Sequence, residues 1–322
     1  MKRLDMLGLL GKDMDKIEKE LYRSVQGDDA LLTETSLHLL KAGGKRLRPV
    51  FVLMGGKFGS YDLDKLKAVA VPLELIHSAS LVHDDVIDDA STRRGEPTVK
   101  AKWGDKIAMY TGDYIYAKAL MLTTRLKNPE IHRILSKAMV EMSIGEMEQI
   151  RDFFNSEQNE RRYLRRIRRK TALLIAISCQ LGALAADAEP RVARLLYSYG
   201  YNVGMAFQIR DDLLDLSGTE KQIGKPPGSD IRQGNITLPV IYSLRDGRLR
   251  EPLLEELEGI RLGTRSSGRA IDLVLSGEGI AKAEELASRY IAKALKALDM
   301  LPDNRMKRNL RDIAFFVTGR SY

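Results

Sequence analysis

Apolar residues recur at helical spacing along most of the chain. A first helical stretch covers residues 13–42 and is ended by Gly43-Gly44. A second runs from about Leu66 to Asp89, with Pro72 as its start or a kink. Further helical patterns cover residues 106–126, 130–154, 160–186, 190–215, 238–245, 251–260, 268–275 and 279–299, and a last one ends near Val317. The pattern predicts ten or more helices.

Two polar segments interrupt this pattern. Arg93-Arg94-Gly95-Glu96-Pro97 is typical of a loop, and residues 217–237 are rich in Gly, Pro, Ser and Lys and predict one long loop. The sequence contains no repeat at a fixed period and no linker long enough to separate domains. We therefore expect one all-α domain over residues 1–322.

Composition agrees with a helical, cytoplasmic protein. The chain is 44% hydrophobic and 30% charged, which allows a sizeable core, and only 6% aromatic. A single cysteine, Cys179, excludes an internal disulfide, and its apolar surroundings indicate a buried, inert thiol. The longest apolar stretch, residues 172–186, is too short to span a bilayer, and the broken apolar run at the N-terminus does not fit a signal peptide.

Four carboxylates are concentrated at the end of the second helical stretch. Asp84 and Asp88 lie one turn apart on one helix face, and Asp85 and Asp89 lie on the next. Like charges at this spacing repel, and burial among apolar neighbours would raise the cost further. Bound cations would relieve both effects, and oxygen ligands favour Mg²⁺ over zinc. Taken alone, a solvated acidic helix end explains the cluster equally well.

A second cluster repeats the same spacing. Asp211, Asp212 and Asp215 again form D-D-x-x-D within an apolar helical stretch. Two such clusters are a poor fit to solvated faces. If the two helices face each other, their carboxylates could hold several Mg²⁺ ions that grip a diphosphate.

Basic groups supply the rest of such a site. Arginine matches phosphate oxygens with two hydrogen bonds, and lysine acts as a point charge. The candidate basic groups lie in a glycine-containing turn, beside the first Asp cluster, on a helical segment and in the long loop: Lys45, Arg46, Arg48, Arg93, Arg94, Lys170 and Lys225. Two polar candidates, Thr171 and Gln208, lie on helical segments.

The ordered set of motifs resembles the trans-isoprenyl diphosphate synthase family. The motifs are GGKRLRP (43–49), HDDVIDDASTRRG (83–95), RRKTA (168–172), FQIRDDLLD (207–215) and GKPPGSD (224–230). The resemblance covers nearly the whole chain. It implies a Mg²⁺-dependent prenyltransferase that condenses an allylic diphosphate, such as farnesyl diphosphate, with successive isopentenyl diphosphates.

The resemblance also implies a structure and residue roles. The fold would be a helical bundle of the isoprenoid synthase type with a central cavity, and Asp84, Asp88, Asp211 and Asp215 would bind Mg²⁺. The allylic diphosphate would be bound by Arg93, Lys170, Thr171 and Gln208, with Lys225 nearby, and isopentenyl diphosphate by Lys45, Arg48, His77 and Arg94. Asp84, Asp88, Asp211 and Lys170 would be catalytic. Asn235 departs from the pattern, because many homodimeric relatives carry lysine before the TLP segment.

Segments such as ELIHSASLVHDDVIDDA are similar to the large components of bacterial heptaprenyl diphosphate synthases. This similarity implies a small non-catalytic subunit as heterodimer partner, with a homodimer possible for the chain alone. It also implies a product of seven prenyl units for quinone side chains. Ala79 and Ser80, about one turn before Asp84, are small and would leave the path of a long product open.

A basic run at residues 161–170 and a net charge of +8 raise a nucleic-acid or membrane partner. No base-stacking aromatics interleave with the arginines, so we expect no nucleic acid and at most weak contact with an anionic membrane surface. Most of these arginines would face solvent. Two alternatives stay open: a class I terpene cyclase and a non-catalytic helical subunit. Two complete D-D-x-x-D motifs favour an elongating enzyme.

Overall fold

The computed structural model describes residues 6–218 and 227–318, and its ordered structure is almost entirely helical. The N-terminal part contains α1 (Met6–Ser24), α2 (Ala30–Lys41), α3 (Leu47–Gly56), α4 (Leu63–Ile87), β1 (Thr92–Arg93), β2 (Glu96–Pro97), α5 (Val99–Trp103) and α6 (Asp105–Thr123). The middle contains α7 (Pro129–Arg151), α8 (Glu160–Ile167), a π-helical turn (Arg168–Ala172), α9 (Leu173–Ala185) and α10 (Pro190–Ser217). The remainder contains α11 (Ser229–Arg232), α12 (Leu238–Ser243), α13 (Arg250–Arg261), α14 (Gly268–Ser276), α15 (Gly279–Asp299) and α16 (Arg305–Thr318). The all-α prediction is confirmed.

The chain divides into two compact units. Of the described residues, the first comprises 6–137, 177–197 and 302–309, and the second comprises 138–176, 198–218, 227–301 and 310–318. Four boundaries fall inside α7, α9, α10 and α16, and the one at 301/302 falls between α15 and α16. One domain over residues 1–322 stays a prediction.

In the first unit, α4 packs chiefly against α6 and also against α3 and α1. Its apolar residues, such as Leu73 and Leu75, are fully buried. Helix α3 approaches α9 backbone to backbone, because a Cβ on Gly55 would lie 2.3 Å from the carbonyl oxygen of Cys179. Burial also raises the pKa of the Cys179 thiol, which leaves it protonated and unreactive.

In the second unit, the core gathers apolar residues from α8, α10, α12 and α15. Tyr163, Ile209, Leu213 and Leu238 are completely buried there. Helix α12 packs against α15. This core therefore packs around α10, the helix that carries the second Asp cluster.

Several elements differ from the sequence prediction. The stretch 13–42 is two helices, since the chain turns at Gly27, where a Cβ would lie 2.5 Å from the Tyr114 hydroxyl. Asp29 then caps α2 by accepting from the N–H of Leu32 at 2.8 Å. The loop at 93–97 contains a short antiparallel pairing of Thr92–Arg93 with Glu96–Pro97.

Three further elements were not predicted: α3, α5 and the π-helical turn inside the stretch 160–186. The loop at 217–237 also contains the short helix α11 within its described part. None of the described helices is long and apolar enough to cross a membrane.

Candidate functional site

The first Asp cluster lies where α4 ends. Asp84 and Asp85 are on the helix and buried, at 9% and 2% exposure. Asp88 is the C-cap, and its N–H donates to the carbonyl of Asp84 at 2.8 Å. Asp89 takes a left-handed conformation with φ of 52° and forms an exposed ion pair with Lys100. The chain therefore turns away after Asp88, and Asp89 does not continue a helical face as the spacing predicted.

Asp85 is tied to the short hairpin that follows the cluster. Arg93 donates from Nε and Nη2 to Asp85 Oδ1, both at 2.7 Å. Burial raises the pKa of Asp85, although Arg93 opposes this effect. Arg93, predicted to bind the allylic diphosphate, thus holds a carboxylate next to Asp84. A guanidinium can keep this contact and still offer its remaining N–H groups to a phosphate.

The basic turn before α3 depends on two glycines. Gly43 and Gly44 have positive φ values of 82° and 144°. A Cβ on Gly44 would lie 2.5 Å from Arg94 Nη1, so the end of the Arg94 side chain lies directly against this glycine. The turn therefore brings Arg94 against the residues that precede α3.

Arg46 has a structural role in this turn. It is buried and ion-pairs with Glu18 at 2.9 Å and with Glu74 at 3.2 Å. It also donates from Nη2 to the carbonyl of Leu40 at 2.7 Å. These contacts use the guanidinium within the protein, and they join α1, α2 and α4.

Arg48, His77 and Arg94 form a basic patch close to the carboxylate of Glu74. Burial lowers the pKa of Arg48 to about 10, and Arg94 adds to that effect while Glu74 opposes it. The Nε of Arg48 is buried without a hydrogen-bond partner. Burial and then Arg48 and Arg94 hold the pKa of His77 well below its usual value. An anion bound here would stabilise all three groups.

Glu74 is a residue that the sequence analysis missed. It is 2% exposed, and its Oε2 is buried without a hydrogen-bond partner. Its signal in the sequence is a single carboxylate within the apolar stretch of α4, three residues before His77. A buried carboxylate at that position requires a cation, and Arg46 supplies it.

The second Asp cluster lies within α10. Asp211 is exposed, whereas Asp212 and Asp215 are buried, at 4% and 2%. Asp215 Oδ1 accepts from the hydroxyl of Ser229 at 2.7 Å, and its Oδ2 accepts from the N–H of Asp230 at 3.1 Å. Asp215, predicted as a metal ligand, therefore also fixes the start of α11.

Asp212 is surrounded by uncharged donors. The Tyr163 hydroxyl donates to Oδ2 at 2.6 Å, and Gln208 Nε2 donates to Oδ1 at 2.8 Å. Burial raises the pKa of Asp212, with Asp230 as the next cause, and the two hydrogen bonds oppose this rise.

Lys170 and Thr171 lie on the π-helical turn, a feature that often marks functional sites. Thr171 Oγ1 donates to Gln208 Oε1 at 2.6 Å, so the structure brings these two predicted residues together. Lys170 Nζ donates to Glu146 Oε2 at 2.9 Å and to Gln149 Oε1 at 3.0 Å. A Cβ on Gly204 would lie 2.6 Å from the Cα of Ala172, which shows how closely α10 approaches the π-helical turn.

The arginine run of α8 and the π-helical turn is only partly exposed: Arg161, Arg162 and Arg165 face solvent as expected, whereas the other three arginines do not. Arg166 is 4% exposed and donates to the carbonyl of Ile236 at 3.1 Å. Arg168 and Arg169 are half-buried, and both contact Glu141. These pairs stabilise the fold and leave less charge for an external partner.

The residues predicted to control product length lie on α4. Ala79 is buried, and Ser80 donates its hydroxyl to the carbonyl of His77 at 2.8 Å. A cavity of about 680 Å³ in the same unit is lined by Ala68, Val71 and Pro72 of α4 and also by charged residues such as Lys67 and Arg125. Pro72 lies seven residues before Ala79, which is about 10 Å along a helix.

The donor set fits divalent metal bound together with a phosphate. Among the described residues, no three acidic, histidine or cysteine side chains are grouped as a preformed metal site. Mg²⁺ is commonly bound by one or two carboxylates plus substrate phosphates, so carboxylate pairs suffice. Lys225 lies outside the described residues.

The fold, the two D-D-x-x-D clusters and the basic groups define a prenyl diphosphate synthase. The chain belongs to the polyprenyl synthetase family, whose sequence model matches residues 29–263. The predicted enzyme class, a trans-prenyltransferase, is thereby confirmed.

Individual relatives show which members of the family this chain resembles. The chain is 52% identical over 322 residues to heptaprenyl diphosphate synthase component 2 of Geobacillus stearothermophilus, covering 100% of both. Heptaprenyl diphosphate synthase from Staphylococcus aureus superposes with a TM-score of 0.90 at 38% identity, covering 97% of this chain and 98% of that one. Polyprenyl synthase from Caulobacter crescentus CB15, solved with calcium and isoprenyl diphosphate, has a TM-score of 0.91 at 31% identity and covers 98% and 97%. The predicted isoprenoid synthase fold is confirmed.

Proposed function

We propose that this chain is the catalytic component of a heptaprenyl diphosphate synthase, which condenses farnesyl diphosphate with isopentenyl diphosphate units for quinone side chains. The observation that carries the proposal is the repeated D-D-x-x-D motif, each copy combining buried and accessible carboxylates. The relatives named component 2 support the product and the existence of a partner component.

We propose Mg²⁺ as the metal, with Asp84 and Asp88 of the first cluster and Asp211 and Asp215 of the second as its ligands. Mg²⁺ bound there would neutralise charge on the departing diphosphate. Asp215 could bind a metal ion and still accept hydrogen bonds from Ser229 and Asp230, because a carboxylate has enough lone pairs for the metal ion and both donors.

The basic patch would bind isopentenyl diphosphate through Lys45, Arg48, His77 and Arg94. The buried, unpartnered Nε of Arg48 supports this assignment, since a phosphate oxygen would satisfy it. Neutral His77 offers an N–H to the diphosphate, and its protonation is opposed by the neighbouring arginines.

The allylic diphosphate would be bound by Arg93, Lys170, Thr171 and Gln208, with Lys225. Lys170 would exchange or share its contacts with Glu146 and Gln149 when the diphosphate binds. The hydrogen bond between Thr171 and Gln208 supports a common ligand for this pair. With both diphosphates bound, the apolar walls would keep water from the allylic cation, and positioning would supply much of the rate.

The product would grow past Ala79 and Ser80 towards the cavity at Val71 and Pro72. Ala79→Tyr tests this path. A variant that stays folded and stops at about fifteen or twenty carbons supports it, because a smaller cavity accepts a shorter chain. Unchanged product length in a folded, active variant would contradict it.

The proposed function is tested with the chain alone and with the small component of a two-component relative. Each sample receives farnesyl diphosphate, labelled isopentenyl diphosphate and Mg²⁺, and the products are sized by chromatography. We expect weak or no elongation by the chain alone and a 35-carbon product with the partner. A cyclised hydrocarbon, or no product under either condition, would contradict the proposal. A cytoplasmic location remains a prediction.

A further inference from the structure

Four side chains of the second unit form one continuous hydrogen-bonded series. It runs from Thr171 on the π-helical turn to Gln208 and Asp212 on α10 and ends at Tyr163 on α8, with contacts of 2.6, 2.8 and 2.6 Å. Tyr163 and Asp212 are buried, at 0% and 4% exposure, whereas Gln208 and Thr171 are half-buried. The series therefore extends from the core to side chains that a ligand can reach.

The donor and acceptor pattern of this series has one consistent arrangement. With Asp212 ionised, its carboxylate only accepts, so the NH₂ of Gln208 faces Asp212 and the Gln208 oxygen faces the Thr171 hydroxyl. The Tyr163 hydroxyl occupies the second carboxylate oxygen and holds the carboxylate in place. Asp212 thus selects one of the two orientations of the Gln208 amide. Its second amide N–H remains able to donate to another acceptor.

We propose that Asp212 is a positioning residue, supported by Tyr163, that holds Gln208 and Thr171 oriented to bind the allylic diphosphate. The inference rests on the proposed function and gives Asp212 a role apart from metal binding. Its two oxygens accept from Tyr163 and Gln208, which places Asp212 between a buried tyrosine and a residue predicted to bind the diphosphate. The repeated motif therefore contains one residue that acts through its neighbours.

Two substitutions test this role in the full chain, with the partner component present. Tyr163→Phe removes one donor and keeps the ring. Asp212→Asn replaces one acceptor by an NH₂ group, so that either Tyr163 or Gln208 loses its partner. We expect the KM for the allylic diphosphate to rise about tenfold in Tyr163→Phe and more in Asp212→Asn, the range of one lost hydrogen bond to a charged group. The KM for isopentenyl diphosphate and the half-saturating Mg²⁺ concentration stay unchanged.

Tyr199→Phe is the matched control. Tyr199 is a fully buried tyrosine of the same unit, and its hydroxyl donates to the carbonyl of Leu310 at 2.6 Å, outside the series. It should lose similar thermal stability without a change in either KM. Circular dichroism establishes that each variant is folded.

Three outcomes would overturn the inference. A raised half-saturating Mg²⁺ concentration in Asp212→Asn would indicate that Asp212 is a metal ligand. Equal changes in both KM values, or the same change in Tyr199→Phe, would indicate a purely structural role. Unchanged KM values in folded variants would exclude positioning. If the wild-type chain does not elongate, the proposed function fails, and the Kd of inorganic diphosphate for wild type and Tyr163→Phe, measured by calorimetry with Mg²⁺, still decides the positioning role: an equal Kd contradicts it.

Discussion

The two D-D-x-x-D clusters have the same spacing and different surroundings. The first lies at the end of α4, where Asp88 is the C-cap and the following Asp89 is already left-handed. The second lies within α10, which continues to Ser217. The middle carboxylate differs most, since Asp85 is paired with the cation Arg93, and Asp212 accepts from the neutral donors Tyr163 and Gln208.

This difference shows that spacing alone does not assign a role to each aspartate. A carboxylate beside a guanidinium keeps its charge partner within the protein, so the first cluster is balanced by the hairpin that follows it. The second cluster has no such arginine on Asp212, and its order comes from hydrogen bonds to α8 and α11. We therefore expect the stability of the first cluster to depend on the charge of Arg93. The stability of the second should depend on the neutral donors that bind Asp212.

The largest expected effect is on turnover. Asp84→Asn and Asp211→Asn should each lower kcat by about 10²–10³-fold or more, because each removes charge stabilisation from the departing diphosphate. Asp89→Asn is the control in the same motif, since Asp89 is exposed and paired with Lys100. Steady-state kinetics with Mg²⁺ would show it close to wild type. An equal loss in all three variants would erase the distinction between these positions.

The second effect concerns the arginine of the first cluster. Arg93→Met leaves the buried Asp85 without its cation and should lower the free energy of unfolding by about 1.5–3 kcal/mol. Lys100→Met removes the exposed pair with Asp89 and should cause no measurable change. Urea unfolding of both variants measures the difference. Equal midpoints would mean that Arg93 does not stabilise the cluster.

A third comparison lies inside the second cluster. Asp215→Ala leaves the Ser229 hydroxyl and the Asp230 N–H without their acceptor, which should cost about 1–3 kcal/mol of stability. Asp211→Ala removes an exposed side chain and should stay within about 0.5 kcal/mol. Thermal and urea unfolding would separate them. If Asp211→Ala proved the more destabilising, the assignment of Asp215 as the anchor of α11 would be wrong.

The smallest effect is a pH dependence near the first cluster. The pKa of His77 is lowered in the folded state by burial and by Arg48 and Arg94. His77 therefore takes up a proton near pH 6.5 in the unfolded chain and only at lower pH in the folded chain. The folded state keeps its stability above pH 6.5 and loses stability as the pH falls below that value. The slope is at most about 1.4 kcal/mol per pH unit. Unfolding of wild type and His77→Asn between pH 5 and 8 measures it, and parallel curves would contradict the assignment.

Much of the helical framework could be predicted because it is encoded locally. Periodic apolar residues and the stop at Gly43-Gly44 correctly placed the end of α2 and both ends of α4 and α10 to within a few residues. The break between α1 and α2 was missed, although Gly27 and the N-cap residue Asp29 are local signals for it.

Some residues of the candidate site could likewise be predicted from the sequence, and others could not. Motif spacing found both Asp clusters, and the family resemblance assigned Thr171 and Gln208 to one diphosphate. The hydrogen bond between these two residues was not predicted. The structural role of Arg46 and the counterion Glu74 were missed, because burial and ion pairing are set by helix packing. Asp212 was passed over for the same reason.

The π-helical turn has a consequence for the lengths that this segment tolerates. One residue added to or removed from a regular helix rotates everything beyond it by about 100°, whereas a π-helical turn takes up one extra residue locally. A single-residue deletion between Ile167 and Leu173 could restore a regular α-helix and leave the backbone continuous. It would also turn Lys170 and Thr171 away from Gln208, so a change that is nearly silent for folding would be severe for the site. Among related sequences, we expect this segment to accept substitutions more readily than any change in its length.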